Sequence, residues 1–443
     1  MNNQIDPKRL TDSRFGGKGW SIIIYTALLY YFWAGLCVDA LNVYPDAFAA
    51  KILGEGASEE ALAALSAQLL GYATPAGIIG VIGGIIAGRL VLKTGVKKLT
   101  GICLIITGVL YVIFGFVQSP AMFFILLTLF TVVSTEFGLI ATAGLMGNWF
   151  PRKKGIALGW ATMGAPLCTA TFVALIQNMY GSIGITTSSA IVGVVVIILG
   201  IATFWWIHDT PEEVGAYPDN ISEGMEDLAA QRKALEEYKS PFTIGKLVKD
   251  KDMWLIAVGF GFLWMVTVGI VSQFVPRFIG ALIASGMEPG AAQGQALLML
   301  TIAAVIGLFG SYFWGWLDQK IGTKKASVVY AVSYIIALIL MIVANAGVLQ
   351  WIAVVFVGLG IGGLLNLMPS MVISVYGRKD FEAANSLVSP IASLLQKGAF
   401  IIMAVLLAKS GGSYNLPYAV FIGIDVVGMI LLMFVTNKCK GNN

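Results

Sequence analysis

Long apolar segments separated by short polar loops occupy almost the whole chain. The first follows a polar leader and ends near the turn at 42–45, and five more lie at 66–92, 99–118, 121–150, 155–180 and 186–207. A polar stretch at 208–252 interrupts the pattern, and six further segments lie at 253–279, 291–317, 326–344, 349–375, 383–407 and 416–435. About 20 apolar residues cross a bilayer as a helix, so the pattern predicts twelve spans, six on each side of the central stretch.

Composition supports an all-α membrane protein. Of 443 residues, 58% are hydrophobic and 12% are charged, whereas soluble domains have about 25% charged residues. A soluble enzyme with a membrane anchor is excluded, and a β-barrel would need short alternating segments instead. We predict a tail at 1–19, a six-helix bundle at 20–207, a linker loop at 208–252, a second bundle at 253–436 and a tail at 437–443.

The basic residues alternate between the predicted loops. Most of the 28 Lys and Arg side chains fall in the tails, the central loop and every second short loop. The positive-inside rule then predicts both termini in the cytoplasm and a multi-pass protein of the cytoplasmic membrane. The basic clusters serve as topology signals, so nucleic acid is not needed to explain them. No signal peptide is evident.

The sequence offers few residues suited to catalysis or metal binding. The four cysteines have no paired short spacing, and the single histidine, His208, stands at the end of an apolar run. No nucleophile and base pair or metal cluster is recognisable. We therefore expect neither an enzyme, a metal site nor a cofactor.

Two loops in equivalent positions of the two halves share one pattern. Gly-x6-Gly-x-Lys-Lys occurs at 88–98 and again at 315–325, and such repeats are typical of transporters built from two related bundles. The pattern resembles the loop signature of the major facilitator superfamily, which implies a cytoplasmic gate formed here by Lys93, Gly95, Asp318 and Gly322. Leu92 and Gln319 stand where the signature has an acid, so we expect the contacts that close this gate to be weaker or differently arranged.

A second motif, entering the fifth span at 149–164, resembles the signature of the monocarboxylate and oxalate–formate carrier families. Gly16-Gly-Lys-Gly-Trp20 is similar to the opening motif of the same group. This resemblance implies an organic-anion carrier and names no substrate.

Lys397 is a charge in the middle of the eleventh span. A lysine there costs about 2.5–3.5 kcal/mol on insertion scales and is tolerated where it faces a cavity or a partner. Ser393, Ser389 and Asn385 precede it at intervals of four, so one helix face is polar. In the oxalate–formate carriers a lysine in this span binds the substrate carboxylate, which makes Lys397 our candidate anion site. The alternative is a structural pair with an acid of a neighbouring span.

Three acids also lie within predicted spans. Glu136, in the fourth span, is a candidate for proton coupling or for balancing Lys397, with a structural hydrogen-bonded acid as the alternative. Asp39 lies toward the end of the first span, as an outer-gate or interfacial residue. For Asp425, in the twelfth span, we expect a partner within its own bundle.

Further polar and aromatic side chains complete the candidate pocket. Substrate contacts are predicted for Ser393, for Asn366 of the tenth span, and for Tyr30, Trp33, Trp264 and Gln273 of the first and seventh spans. The eighth span has no charge between 297 and 316, although the related carriers place a basic residue there. With Lys397 as the one buried cation, a monoanion with an apolar body is favoured over a dicarboxylate.

The sequence thus predicts a monomeric carrier that moves a small organic anion by alternating access, driven by proton symport or by exchange for a counter-anion. Its partners are the substrate, the coupling ion and the lipid bilayer. The first alternative is a proton-coupled exporter of hydrophobic or cationic compounds, in which Glu136 and Asp39 bind the cation. The second is a sensor that keeps the fold without transporting.

Overall fold

The computed structural model describes residues 7–222, 227–344 and 347–441. Parts of the predicted tails and linker, at 1–6, 223–226 and 442–443, therefore lie outside the described residues. Spans one to six are Gly16–Cys37, Ala73–Thr94, Val96–Phe114, Pro120–Trp149, Lys154–Ile183 and Ile185–Trp206. Spans seven to nine are Lys251–Ser272, Pro289–Ile321 and Thr323–Val343, and span twelve is Asn415–Met433.

Spans ten and eleven form one helical segment, Val348–Lys409. The segment turns at Gly377, whose φ of 72° and ψ of 176° are not helical, so span ten ends at residue 376 and span eleven begins at 378. Span seven is also followed closely by a second helix, Phe274–Ala284, after a break at Gln273. The described residues thus contain the twelve predicted spans, arranged as two six-helix bundles. The predicted residue limits of the bundles stay a prediction.

Outside the spans, short helices lie between spans one and two, at Tyr44–Leu53 and Glu59–Gly71. The central stretch has two 3-10 turns, Pro211–Val214 and Pro218–Asn220, and the helices Leu228–Glu237 and Ile244–Lys249.

The repeated loops have the same backbone shape in both halves. Gly95 ends span two with φ 80° and ψ 160°, and Gly322 ends span eight with φ 86° and ψ 148°. A positive φ is readily adopted only by glycine, so each repeat needs its second glycine to begin the next span. The sequence repeat is therefore a structural repeat.

The halves meet along two pairs of helices in which small residues allow close approach. Span two contacts span eleven, where a Cβ at Gly88 would lie 2.7 Å from that of Ser386. Span five contacts span eight, where a Cβ at Gly155 would lie 2.5 Å from the carbonyl oxygen of Gly315. Glycines therefore let the two bundles approach closely at both contacts.

Candidate functional site

A small cavity of about 50 Å³ lies between the two bundles. Its walls come from spans one, two, four and eleven, and they consist of Trp33, Cys37, Val38, Gly77, Gly80, Val81, Thr131, Thr135, Leu139, Ile140, Ser389, Pro390, Ser393, Gln396 and Lys397. Lys397 is the one charged side chain among these described lining residues, and the others are apolar or carry neutral hydroxyl, thiol or amide groups. A small ligand with one anionic group and an apolar body suits such a lining.

Lys397 crosses the gap toward span two. A Cβ built on Gly77 would lie 2.9 Å from Cε of Lys397 and 3.3 Å from Nζ, so the absence of a side chain at residue 77 makes room for the lysine. No hydrogen bond or ion pair joins Lys397 to any residue within the described ranges. The nearby Ser393 hydroxyl is buried and also lacks a hydrogen-bond partner in this part of the structure.

Span four changes its helical winding beside the cavity. It is α-helical from Pro120 to Thr135 and π-helical from Glu136 to Ala141, and single π turns are frequent at functional sites. Within this turn, a Cβ at Gly138 would lie 2.1 Å from Cγ of Trp33. The indole of Trp33 therefore packs directly on the span-four backbone, which fixes one apolar wall of the cavity.

Glu136 turns away from the cavity. It is 1% exposed, and its Oε1 accepts a hydrogen bond from Thr100 of span three at 3.0 Å. Its Oε2 has no partner among the described residues. Glu136 is thus a buried acid inside the first bundle, and it forms no ion pair with Lys397 in this structure.

The remaining predicted site residues lie outside the cavity lining. Asp39 is in a 3-10 turn after span one and accepts a hydrogen bond from Thr169 at 3.0 Å. Tyr30 and Trp264 are buried within their own bundles, and Gln273, at the break after span seven, accepts from the Tyr414 hydroxyl at 3.2 Å.

Asn366 lies where spans five, eight and ten meet. With its amide oxygen turned toward the backbone, it accepts from the N–H groups of Gly315 at 2.9 Å and Gly159 at 3.3 Å. The structure therefore places Asn366 in the packing between helices and brings together Lys397, Ser393 and Trp33 from the predicted substrate set.

Sequence reasoning missed several lining residues. Thr131 and Thr135 are spaced by four on span four, a signal of the same kind as the polar stripe of span eleven. Gly77 has no side chain and therefore gives no sequence signal of a cavity wall. Cys37 carries no spacing signal, and its thiol forms a 2.9 Å contact with the Ser134 hydroxyl.

Hydrogen bonds between the halves gather at one end of the spans. We call this end the basic face, because it carries the basic loops at 93–98, 150–155 and 320–325. Lys154 donates to the Ser370 carbonyl at 2.9 Å and also contacts the Ser374 hydroxyl. Gln319, in the acid position of the repeat, donates to the Arg152 carbonyl at 2.8 Å.

In the same contact region, Asn148 of span four donates to Glu382 of span eleven at 3.0 Å. The basic face is therefore closed by polar contacts between the halves, and these contacts separate the cavity from the loops.

A segment after span six, residues 208–221, lies across the basic face, and we call it the strap. Asp209 accepts from the Lys97 N–H at 2.6 Å at the start of span three, and Asp219 accepts from the Lys153 N–H at 2.8 Å near the start of span five. Carboxylates stabilise helix N-termini because the first N–H groups have no helical partner. Both acids thus attach the strap to the first bundle.

The strap is also joined to the second bundle. Glu212 accepts two hydrogen bonds from Arg378, at 2.7 and 2.8 Å, in a bidentate pair whose side chains are 0% and 8% exposed. Arg378 directly follows Gly377, at the turn between spans ten and eleven.

Burial raises the pKa of Asp219 from 3.8 to about 6, against the opposing effect of the backbone N–H groups of Lys153 and Arg152.

The predicted gate residues have different surroundings. Asp318 is buried and accepts from the Ser370 hydroxyl at 2.5 Å, beside the Lys154 contact between the halves. Gly95 leaves room for Asp209, because a Cβ there would lie 2.3 Å from that carboxylate. Lys93 is exposed, and a Cβ at Gly322 would meet no described atom within 4 Å.

The chain is similar to known proteins in its sequence. The family model of the Major Facilitator Superfamily matches residues 22–396. The chain is 25% identical over 273 residues to the oxalate:formate antiporter of Oxalobacter formigenes, covering 59% of this chain and 57% of that protein. It is 26% identical over 267 residues to the inner membrane transport protein RhmT of Escherichia coli strain K12, covering 57% and 59%. The match therefore spans less than two thirds of these relatives' length.

Solved structures share the fold at lower identity. The human organic anion transporter MFSD10 superposes with a TM-score of 0.64 at 12% identity, covering 97% of this chain and 100% of that one. The proton:xylose symporter XylE superposes with a TM-score of 0.68 at 13% identity, covering 95% and 97%. One is described as carrying organic anions and the other a sugar, so the shared fold does not select a substrate.

Proposed function

The chain belongs to the Major Facilitator Superfamily, and from that membership we propose that it moves a small organic monoanion across the cytoplasmic membrane by alternating access. Lys397 holds the carboxylate, and the aromatic and aliphatic walls take the apolar body. The observation that carries the proposal is a lysine ammonium in the cavity between the halves with no anionic partner among the described residues.

An unpaired ammonium that is only partly exposed to water is a binding group for an anion. Removal from water is costly for a charge, and an anionic ligand compensates that cost with Coulomb attraction that is strong in a poorly solvated site. Trp33, Val81 and Leu139 supply apolar surface, while the Ser393 hydroxyl has hydrogen-bonding capacity to spare. One cation suits one carboxylate, and this arrangement supports a monoanion over a dicarboxylate.

Transport requires the basic face to open in one half of the cycle. When the basic face is closed, the anion reaches Lys397 from the opposite face. Opening of the basic face separates the strap from Arg378. It also separates Lys154 from span ten. The driving reaction is exchange for a second anion or symport with a proton, with Glu136 as the buried acid of the first bundle that carries the proton. Both termini lie in the cytoplasm in this proposal.

The test uses two lysines of the same helix. Purified protein in liposomes is assayed for uptake of radiolabelled monocarboxylates, comparing wild type with Lys397→Gln and Lys409→Gln. Lys409 is exposed at the far end of span eleven, so its neutralisation should leave uptake unchanged, whereas Lys397→Gln should abolish it. Equal uptake by the Lys397 variant and wild type would contradict the anion site.

The exporter of cationic compounds remains the rival function. It needs an acid in the cavity, and no Asp or Glu is among the described lining residues. Asp39 and Glu136, its candidate cation ligands, are instead hydrogen-bonded to Thr169 and Thr100. Uptake inhibited by lipophilic cations in wild type, and insensitive to them in Glu136→Gln, would favour this rival over the anion carrier.

A further inference from the structure

Arg89, near the end of span two, is a cation without a partner in the described part of the chain. Its Nε and Nη2 atoms are buried, and neither donates a hydrogen bond to a described residue. No ion pair joins its guanidinium to a described carboxylate either. A guanidinium keeps its charge and has five N–H donors, and donors that stay buried and unpaired are costly. The described chain therefore supplies no anion for this side chain.

The side of span two that carries Arg89 faces the bilayer. Ile85 and Leu92 share this side, since residues spaced by three and four lie together on a helix, and their side chains are 37% and 43% exposed. Exposed apolar side chains of a span contact lipid tails, which are equally apolar. Gly88, in contrast, points to span eleven, where a Cβ would lie 2.7 Å from that of Ser386. Arg89 thus lies beside the contact between the two spans, on its lipid side.

Arg89 lies close to the level of the lipid headgroups. Span two has 22 residues and ends at Thr94, on the basic face. At 1.5 Å per residue, Arg89 is about 8 Å from that end, and the span is about 33 Å long. The hydrocarbon core of a bilayer is about 30 Å thick, so a long arginine side chain reaches the headgroups from this depth.

A second cation lies one turn closer to the basic face. Lys93 is exposed and follows Arg89 by four residues, so the two Cβ atoms are about 5–6 Å apart. Like charges in this arrangement repel each other and destabilise the helix. An anion bound between the two side chains replaces the repulsion by attraction to both.

A lipid phosphate suits this pair in its chemistry and its position. A guanidinium binds phosphate through two parallel hydrogen bonds, and a lysine binds it as a point charge. Basic groups of spans near the membrane surface bind anionic headgroups in this way. Turning the guanidinium of Arg89 outward breaks no hydrogen bond of its buried nitrogens, because they have none.

We propose that Arg89 and Lys93 bind the phosphate of an anionic phospholipid in the leaflet next to the basic face. The exposed apolar side chains of the same helix side contact its acyl chains, which selects a lipid over free phosphate. The site is separate from the substrate cavity. Gly77, beside Lys397, precedes Arg89 by twelve residues, or about 18 Å along the span.

Native mass spectrometry of the delipidated protein tests the binding. Wild type should retain added phosphatidylglycerol in preference to phosphatidylcholine, and Arg89→Gln should bind phosphatidylglycerol about tenfold or more weakly, as expected for the loss of charged hydrogen bonds. Lys98→Gln is the matched control, because it removes one charge from an exposed residue of the same basic loop and should bind as wild type does. An equal loss in Arg89→Gln and Lys98→Gln would overturn the proposal, since general attraction to the basic face explains it.

Melting temperatures in detergent separate lipid binding from a structural role. Phosphatidylglycerol should stabilise wild type, and Arg89→Lys, which keeps the charge but not the paired hydrogen bonds, should retain part of that gain. Without lipid, Arg89→Gln should melt as wild type does, because no described partner is lost. A lower melting temperature of lipid-free Arg89→Gln would contradict the inference by revealing a partner within the protein. Equal stabilisation by inorganic phosphate would refute the lipid assignment. Neither measurement requires transport, so both are independent of the proposed function.

Discussion

Replacing Glu212 by Gln removes one charge from the pair that joins the strap to Arg378. The two side chains are 0% and 8% exposed and meet through two hydrogen bonds, so the variant leaves the guanidinium of Arg378 buried without its carboxylate. Breaking a buried pair in this way costs about 3–5 kcal/mol, whereas exposed pairs contribute about 0–1 kcal/mol.

The cost falls on one conformation. When the basic face opens, water reaches Arg378 and solvates it with or without Glu212, so the penalty applies chiefly to the closed state. At about 1.4 kcal/mol per tenfold, the ratio of closed to open molecules should fall about a hundredfold to a few thousandfold. The open state then becomes well populated if it lies only a few kcal/mol above the closed state in wild type.

Hydrogen exchange measured by mass spectrometry detects the change. Peptides covering 150–160 and 315–322 contain backbone groups buried by the basic face, and their exchange should accelerate in Glu212→Gln. Glu213→Gln is the matched control, because Glu213 is adjacent and exposed, 3.5 Å from His208. Glu212→Gln with Arg378→Gln removes both charges and should recover most of the protection. Exchange that is the same in Glu212→Gln and Glu213→Gln would refute the reasoning.

Three further predictions test the cavity, the contact between the halves and the strap. Gly77→Ala places a Cβ 2.9 Å from Cε of Lys397 and should weaken anion affinity by displacing the ammonium, as measured by competitive uptake; Gly71→Ala, with no described atom within 4 Å, should not. Gly155→Ala meets the Gly315 carbonyl at 2.5 Å and should destabilise the closed state by about 1–3 kcal/mol, seen as a lower melting temperature and faster exchange at 315–322. The pKa of Asp219 is raised from 3.8 to about 6, so the folded protein favours its protonated form. Protonation of Asp219 therefore contributes up to about 3 kcal/mol to the free energy of unfolding. This contribution is complete below pH 4 and is lost as the pH rises through 6. Asp219→Asn should remove that slope from the melting temperature.

The fold could be predicted because its main signals are local. Each span is a run of apolar residues long enough for the bilayer, and the distribution of Lys and Arg marks one end of the bundle. The glycines of the repeated loops also act locally, since a positive φ depends on the residue itself. The family assignment and the twelve-helix fold were therefore correct, while the orientation of the termini stays a prediction.

The site was only partly predictable because it depends on helix rotation and depth. Lys397 and Ser393 stood out, since a charge and a polar stripe within a span need an aqueous or polar neighbour. Asn366 and Glu136 gave similar signals, yet their helices turn them toward spans eight and three. A π turn in span four changes the faces that Glu136 and Gly138 present, and nothing in the apolar pattern of that span indicates it.

The sequence by itself determined the spans, the repeat, the family and the position of the unusual charges, because a lipid environment makes each of these a property of single segments. Only the tertiary structure decided which charges meet. Glu212 and Arg378 are 166 residues apart and form a buried pair, while Lys397 and Asp425 have no partner among the described residues. Charge pairing depends on distances of a few ångströms between helices, and these distances are set by packing across the whole molecule.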